Sequence, residues 1–410
     1  MTRGEIFIAP VECIAPGGAG MLTYQGQRVF MEYTAPGDLV TGRIYEEHTG
    51  WAQATLVEIL EPSPHRVPPL CPRYGSCGGC SLQHLAYHAQ IAEKGHILED
   101  TFTRIGGVLP ELCQSPPFEY RNRMQLHYTT PVNSGPHRPR RFHGAPVTGS
   151  LGLKARNSET IIPIQDCPIA DPGIRLALGQ NSLVPPPEKD RFTVYARLNT
   201  FLSEGGKSRG RVRIRDRDIH LDAGVFFQSN GIMLEMLIGD LLGLAGEADT
   251  SRPMADLYCG VGTFAAFLGD HFSRIDLVEA DREALNVARE NVRGPGIRYT
   301  ALSCDRWIQT RAARAGPGGY GFMVVDPPRQ GLSTALRHWL SAEGPPILAY
   351  ISCDPATLAR DSRELCAGGY GLEKLKGYDF YPQTAHIETL AVFRRPEQES
   401  YHFFAPIYQV

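Results

Sequence analysis

Residues Ile347 to Asp361 read ILAYISCDPATLARD, an apolar run that ends on a cysteine and gives way at once to a helix. Ile347 to Ser352 is short and rich in strand formers, bounded by Pro345 and Pro346 on one side and by Pro355 on the other. That pattern predicts a buried strand. Asp354 suits a helix N-cap, Pro355 fits the first helical position, and Ala356 to Cys366 continues with good helix formers. A buried strand feeding a helix is the unit of an open α/β sheet, and Cys353 falls at the strand's carboxyl end, where such sheets bind ligands. The positive end of the helix favours thiolate over thiol, so Cys353 is placed to be a nucleophile. An isolated cysteine is more often buried and inert. Its neighbours elsewhere in the chain reverse that balance.

Upstream, after Asp222 to Asn230 (DAGVFFQSN), strands and helices alternate. Met254 to Tyr258 reads as a strand, followed by Cys259-Gly260-Val261-Gly262-Thr263-Phe264-Ala265 and a helix. The glycines permit a tight turn and let a ligand approach the helix N-terminus. Ile275 to Val278 is the next strand and ends at Glu279, roughly 20 residues beyond Gly260, where a carboxylate can accept hydrogen bonds from ribose hydroxyls. This is a nucleotide-cofactor half-sheet, although the same spacing also describes a dinucleotide site. Asp326-Pro327-Pro328-Arg329 follows a strand at Phe322 to Val325, and Glu388, in Ala385 to Glu388 (AHIE), leads into a last strand at Thr389 to Phe393. With Cys353, these strand ends fall on one edge of the sheet, so a nucleophile, an acid or base and a cofactor share one cleft.

The 410 residues are too many for one typical core, so two or three domains are expected. A net charge of -3 gives no global basic signature; a nucleic-acid partner must be met by a local patch. No apolar run approaches bilayer length, and the start MTRGEIFIAP lacks the layout of a signal peptide. A cytoplasmic protein without a membrane partner is the expectation, and nothing in the sequence points to a protein partner. Ten cysteines in a reducing compartment argue for metal or catalysis rather than a disulfide framework.

Residues 1–62 hold strand-like runs at Arg28 to Tyr33, Leu39 to Tyr45 and Trp51 to Leu60, broken by Gly- and Pro-bearing turns, which predicts a small β-barrel. Glu61 to Pro69 (EPSPHRVPP) reads as a linker. Next come Cys71, Cys77 and Cys80, with Gly78 and Gly79 letting the backbone curl so that their sulfurs converge as a metal or cluster requires. The fourth ligand is Cys167 or its competitor Cys113, and both zinc and iron–sulfur fit the thiolates. Gln83 to Ile105 has approximate helical spacing, closed by Gly106 and Gly107. Residues 116–225 read mostly as strands and turns and contain two basic clusters. One holds Arg121, Arg123, Arg138, Arg140, Arg141, Lys154 and Arg156. The other, Arg209, Arg211, Arg213, Arg215 and Arg217, falls on one face of an extended strand and is either a phosphate-tracking row or a solvated edge.

The motifs DLYCGVGTF, VVDPPRQGL, SCDPATLARD and HIETL, in this order, resemble those of the RNA 5-methyluridine methyltransferases, which use S-adenosylmethionine. The resemblance extends to CPRYGSCGGCSLQHL, IQDCPIA and FFQSN, and the N-terminal barrel is similar to a TRAM domain, so nearly the whole chain is covered. It implies a Rossmann-like methyltransferase domain at 226–410, a TRAM-like, OB-like RNA-binding barrel at 1–62, and between them a β-rich domain at 63–225. That central domain would carry a 4Fe-4S cluster on Cys71, Cys77, Cys80 and Cys167, with the helix at 83–105 packing on the catalytic domain. It further implies Gln228, Tyr258, Glu279 and Asp326 around S-adenosylmethionine, Asp305 near the adenine, Cys353 as nucleophile and Glu388 as general base. The implied substrate is a uridine of 23S ribosomal RNA, or else of transfer RNA. One departure is visible: Asp354 stands where the family usually has Asn, an anion that opposes thiolate formation beside it. An NAD-linked iron–sulfur oxidoreductase and a non-catalytic RNA-binding protein are the competing readings; neither gives Cys353 with Glu388 a role.

Overall fold

The computed structural model describes residues 1–103, 105, 108–128, 151–187, 189–310 and 319–395. Gly106, Gly107, Arg138, Arg140 and Arg141 of the readings above lie outside the described residues. At the N-terminus, β1 (Ile6–Pro10), β2 (Cys13–Ile14), β3 (Gly20–Tyr24), β4 (Gln27–Met31), β5 (Leu39–His48) and β6 (Trp51–Glu61) form one sheet in the order β1-β5-β6-β4-β3-β2. β1 and β2 are consecutive in the chain yet lie at opposite edges, so the sheet curls back around a core that includes Phe7, Leu22, Val29, Val40 and Ile44. Glu61 to Pro69 is not a loose linker. Asp38, fully buried, accepts from Ser63 N at 2.8 Å and from Arg66 at 2.7 and 2.8 Å, tying the segment to the curled sheet.

Helix α1 (Tyr87–Phe102) begins four residues later than its periodicity suggests, because Ala86 N is drawn back to His65 O and Leu85 N to Leu82 O. Its apolar Ile97, Leu98 and Phe102 enter a core shared with Leu358, Leu375 and Phe393, far along the chain. Strand β7 (Glu111–Cys113) also leaves the central region and pairs with the C-terminal sheet. The central sheet runs β10-β9-β8-β11-β12, from β8 (Arg123–Tyr128), β9 (Leu151–Lys154), β10 (Ile161–Pro163), β11 (Arg191–Arg197) and β12 (Thr200–Ser203), with α2 (Pro172–Gly179) packed on β11.

The alternating arginines prove to be a hairpin, β13 (Arg209–Ile214) and β14 (Arg217–Asp222), so the expected row of five is broken. Arg209, Arg211 and Arg213 share the exposed face of β13; Arg215 occupies the turn at φ 49°. Arg209 pairs with Asp222, Arg213 with Asp218 and Arg217 with Asp270. Val212, Ile214, Ile219 and Leu221 on the inner face join the core of α3 (Gly231–Gly246), so packing does not stop at residue 225.

The largest sheet is built from β15 (Met254–Leu257), β16 (Ile275–Val278), β17 (Ile297–Thr300), β18 (Phe322–Val325), β19 (Ile347–Ser352), β20 (Gly371–Tyr378) and β21 (Glu388–Arg394) together with β7. Its order is β17-β16-β15-β18-β19-β21-β20-β7. β15 to β19 are parallel and wholly buried save β17, as helices on both faces require, whereas β21 runs antiparallel to β19 and β20. The helices are α4 (Thr263–Leu268), α5 (Arg282–Asn291), α6 (Cys304–Trp307), α7 (Thr334–Glu343) and α8 (Pro355–Ala367). Chain order reverses between β15 and β18, and the crevice at such a switch point is the ligand-binding edge. Among the described residues no helix is long and apolar enough to cross a membrane.

Candidate active site

Parallel neighbours end on the same edge, so the residues following β15, β18 and β19 (Tyr258, Asp326 and Cys353) line it together. β21 arrives from the opposite direction with Thr389 facing Ser352; one step further in that register sets Glu388 opposite Cys353. Glu388 is therefore not an exposed loop residue but the first residue of a buried strand, 4% exposed. Gln228, just before α3, donates from Nε2 to Asp326 at 3.3 Å. Arg329 supplies the positive charge acting on both Cys353 and Glu388, and its Nη2 is 3.4 Å from His386 Nε2.

The electrostatics correct one expectation. Burial raises the Cys353 thiol to about 11, with the charges of Glu388 and Asp326 adding to it and Arg329 opposing. Desolvation and two carboxyls outweigh the helix end, and the ligand-free protein holds a thiol there, not a thiolate. Asp354 is not the anion that matters. Its carboxylate accepts from Thr357 N at 2.8 Å as the N-cap of α8. Burial also pushes Glu388 well above the usual carboxylate range, helped by Asp326, and raises Asp326 to about 7. Mass-mapped alkylation of Cys353 by iodoacetamide in ligand-free protein should thus be slow at pH 7.5 and climb about tenfold per pH unit up to the thiol's midpoint. A plateau reached below pH 8 would refute the protonated thiol.

On the other side of the crevice the glycine turn opens. Tyr258 ends β15 one residue earlier than its apolar run suggests because it takes the left-handed conformation, φ 62°, as does Gly260 at φ 54°. A Cβ built on Gly260 would meet nothing within 4 Å, so the turn faces open space above the sheet edge. Glu279 accepts from Gly260 N at 3.0 Å and from Asp281 N at 2.8 Å, holding its carboxylate beside that space. Tyr258 lies against Cys304 and within reach of the charge of Asp305, an exposed residue of α6 that accepts from the Ser333 hydroxyl. Gln228, Asp326 and Cys353 thus border one end of the crevice, and Tyr258, Glu279 and Asp305 border the glycine turn. The carboxylates and open glycine turn match the chemistry of a nucleoside-bearing ligand.

Several residues escaped the sequence reading. Asp256, buried in β15, accepts from Ala265 N at 3.1 Å through Oδ2, while Oδ1 has no hydrogen-bond partner among the described residues, and burial raises its carboxyl to about 8. An acid inside an otherwise apolar strand was the available signal. Arg329 was part of the Asp326-Pro327-Pro328-Arg329 motif, but its charge on Cys353 and Glu388 appears only in the fold.

The cysteines form a separate site. Cys71, Cys77, Cys80 and Cys167 line one cavity of about 200 Å³, with Arg121, Gln83 and Leu153 in its wall. Cys113 lies elsewhere, on β7 beside β20. Turns at Tyr74 N to Cys71 O and Cys77 N to Arg73 O curl the loop, and Gly79 N approaches Cys77 Sγ at 3.4 Å. Burial raises Cys80 to about 12 and Cys167 to about 11. Among the described residues no group of three or more His, Cys, Asp and Glu side chains is close enough to hold a metal ion. Of the described members of the first basic cluster, Arg121 is in the cavity wall, Arg123 lies over the Phe226 ring at 5.6 Å, and Arg156 pairs with Glu32 at 2.7 Å.

Residues 319–395, which include Asp326, Cys353 and Glu388, match the family model described as tRNA (Uracil-5-)-methyltransferase. An uncharacterized RNA methyltransferase of Treponema denticola is 34% identical over 90% of this chain and 94% of its own length. The 23S rRNA (uracil(1939)-C(5))-methyltransferase RlmD of Alkalilimnicola ehrlichii is 29% identical over 96% of this chain and 98% of its own. Among solved structures, Pyrococcus abyssi tRNA (uracil-54, C5)-methyltransferase in complex with S-adenosyl-L-homocysteine has the same fold, with a TM-score of 0.69 at 22% identity, covering 94% of this chain and 100% of that one.

Proposed function

The chain belongs to the tRNA (uracil-5-)-methyltransferase family, and from that premise we propose that it methylates carbon 5 of a uridine in RNA, 23S ribosomal RNA first, through a covalent bond between Cys353 and the uracil ring. The observation that carries this reading is the register that sets the Cys353 thiol opposite the buried Glu388 beside Asp326. Carbon 5 of uracil is too weak a nucleophile to take a methyl group unaided. Cys353 gives its thiol proton to solvent as the substrates bind, and the thiolate Sγ then adds to carbon 6, which makes the ring an enolate with a nucleophilic carbon 5. When bound, S-adenosylmethionine would supply the electrophilic methyl group and a positive charge that favours the thiolate. Glu388 then removes the proton from carbon 5; burial makes its carboxylate a stronger base. The electron pair released re-forms the ring double bond and Sγ leaves.

Gln228, Tyr258, Glu279, Asp305 and Asp326 are the residues that would hold S-adenosylmethionine, supported by the open glycine turn and the carboxylates around it. The NAD-linked reading leaves the Cys353 and Glu388 pair without work. Residues 1–62 serve as a TRAM-like RNA-binding barrel and 63–225 as the central domain, except that α1, β7 and the β13–β14 hairpin pack with the methyltransferase core at 226–410. The enzyme works in the cytoplasm, where its RNA is. The target base must leave its stack to reach a crevice of this depth. Methylating total RNA from a deletion strain with labelled S-adenosylmethionine should label one uridine at carbon 5, in 23S ribosomal RNA. Label in transfer RNA would move the target to the second choice, and no labelled uridine would end the proposal.

A 4Fe-4S cluster on Cys71, Cys77, Cys80 and Cys167 is part of this proposal, supported by the four cysteines that line one cavity. The cluster supplies no step above and is assigned a structural or RNA-positioning role. Anaerobically purified protein should be brown, with iron and sulfide near about four each per chain. Cys167→Ser should lose iron while Cys113→Ser keeps it; colourless, zinc-bearing protein would overturn the assignment.

A further inference from the structure

Gln90 and Gln383 are polar, 293 residues apart in the chain, and buried at 0% and 3% exposure. Gln90 Nε2 of α1 donates to Leu82 O at 3.1 Å, to Leu85 O at 2.8 Å and to Gln383 Oε1 at 3.0 Å, and Gln90 Oε1 accepts from Gln383 N at 2.9 Å. Gln383 O accepts in turn from Ser81 N and Leu82 N, both at 2.9 Å, and Gln383 Nε2 donates to Pro117 O at 3.3 Å. Leu82, Gln383 and Gln90 thus close a ring of hydrogen bonds, just beyond the end of the cysteine loop at Cys80. The ring holds Gln383 in the left-handed region, φ 67°, which a residue other than glycine keeps only where its surroundings over-determine it.

Downstream of Gln383 the chain has little slack before it reaches Glu388. Thr384 Oγ1 donates to Tyr381 O at 2.7 Å and accepts from His386 N at 3.2 Å. Ala385 packs in a small core with Ile14 and Ala35 of the N-terminal sheet, Leu82 and Leu85 beyond the cysteine loop, and Ala89 of α1. Ile387, 2% exposed, shares a core with Leu98. Glu388 is the first residue of β21, so the ladder holds it only from Tyr378 onward, and what precedes it is held by the two glutamines. A satisfied buried polar network fixes one arrangement, and removing a member leaves its partners unpaired away from water.

We propose that Gln383, clasped by Gln90, is a positioning residue for Glu388: it joins the end of the cysteine loop to the segment entering β21 and so sets where the carboxylate stands relative to Cys353. The proposal rests on the uracil reading of the site. Glu388 acts only after methyl transfer, when it takes the proton from carbon 5 and Sγ leaves carbon 6. A displaced carboxylate therefore leaves addition and methyl transfer intact and slows the release of the product. Misplacement of a reacting group by about 1 Å costs on the order of 10²-fold.

The test is Gln90→Met, which keeps the length of the side chain and a good helix former in α1 while removing the amide. On ordinary RNA kcat should fall roughly 10²-fold, and a heat-stable complex that carries the methyl group should accumulate. On 5-fluorouridine RNA, which has no proton on carbon 5 for a base to remove, the adduct at Cys353 should form at the wild-type rate, with KM for RNA unchanged. An unchanged kcat on ordinary RNA overturns the proposal. A lower kcat with no accumulated complex and a parallel slowing of the 5-fluorouridine adduct also overturns it, since the pair then only supports the fold. No adduct with the wild-type protein overturns the uracil reading itself. Should Gln90→Met misfold, Gln383→Asn keeps the backbone bonds and tolerates the left-handed region, but its shorter amide falls back from Gln90 and Pro117. It should accumulate the same methylated complex; turnover at the wild-type rate overturns the assignment.

Discussion

Cys353→Ala protein is expected to bind S-adenosylmethionine normally and to lose methyl transfer by on the order of 10⁴-fold or more, because removing a covalent nucleophile abolishes the route that splits one hard step into easier ones. The substitution removes one sulfur from a partly buried position at the crevice edge, so folding and cofactor affinity should hold. The informative contrast is Glu388→Gln. With the thiol intact and the base absent, carbon 5 can be methylated yet keep its proton, and the enzyme should accumulate as a covalent complex with ordinary RNA that carries the methyl group. Gel-shifted, heat-stable complex is the measurement. Residual methylation by Cys353→Ala within tenfold of wild type, or an adduct on another side chain, would defeat the nucleophile assignment.

Lys94→Met is the second large effect, on stability. Lys94 and Asp379 are both fully buried with Nζ 2.6 Å from Oδ1, and removing one partner of a buried pair strands the other charge. A loss of roughly 3–5 kcal/mol follows, read as a fall of about 5 °C or more in Tm. Tyr87 Oη, at 2.9 Å, then remains as the donor to Asp379. Lys94→Met with Asp379→Leu should recover most of the loss, since the paired polar atoms leave together. Equal destabilisation by the single and double variants would show that packing of the lysine stem, not its charge, is what matters.

Local grammar made much of this protein legible. The strand at Ile347 to Ser352, the cap at Asp354 and the proline after it specify a strand–helix unit from neighbouring residues alone, and that unit is present with those bounds. The expectation for α1 began too early because a period in apolar residues says nothing of the backbone bond from Ala86 to His65 that delays the first turn. The alternating arginines were misjudged for a similar reason: alternation is the same on both sides of a hairpin turn, and only Arg215 in the left-handed region marks where the strand folds back.

What the sequence by itself determined is the α/β order of the catalytic region, the carboxyl-edge positions of Tyr258, Asp326 and Cys353, and a cysteine loop wanting a fourth partner. Those properties are written in periods and punctuation over a few residues. Only the tertiary structure decided that Cys167 rather than Cys113 shares a cavity with that loop, that polar Lys94 and Gln90 face inward, and that burial raises the Cys353 thiol. Each depends on desolvation and on charges delivered by segments hundreds of residues apart, and a neighbour's electric field exists only once folding has brought that neighbour close.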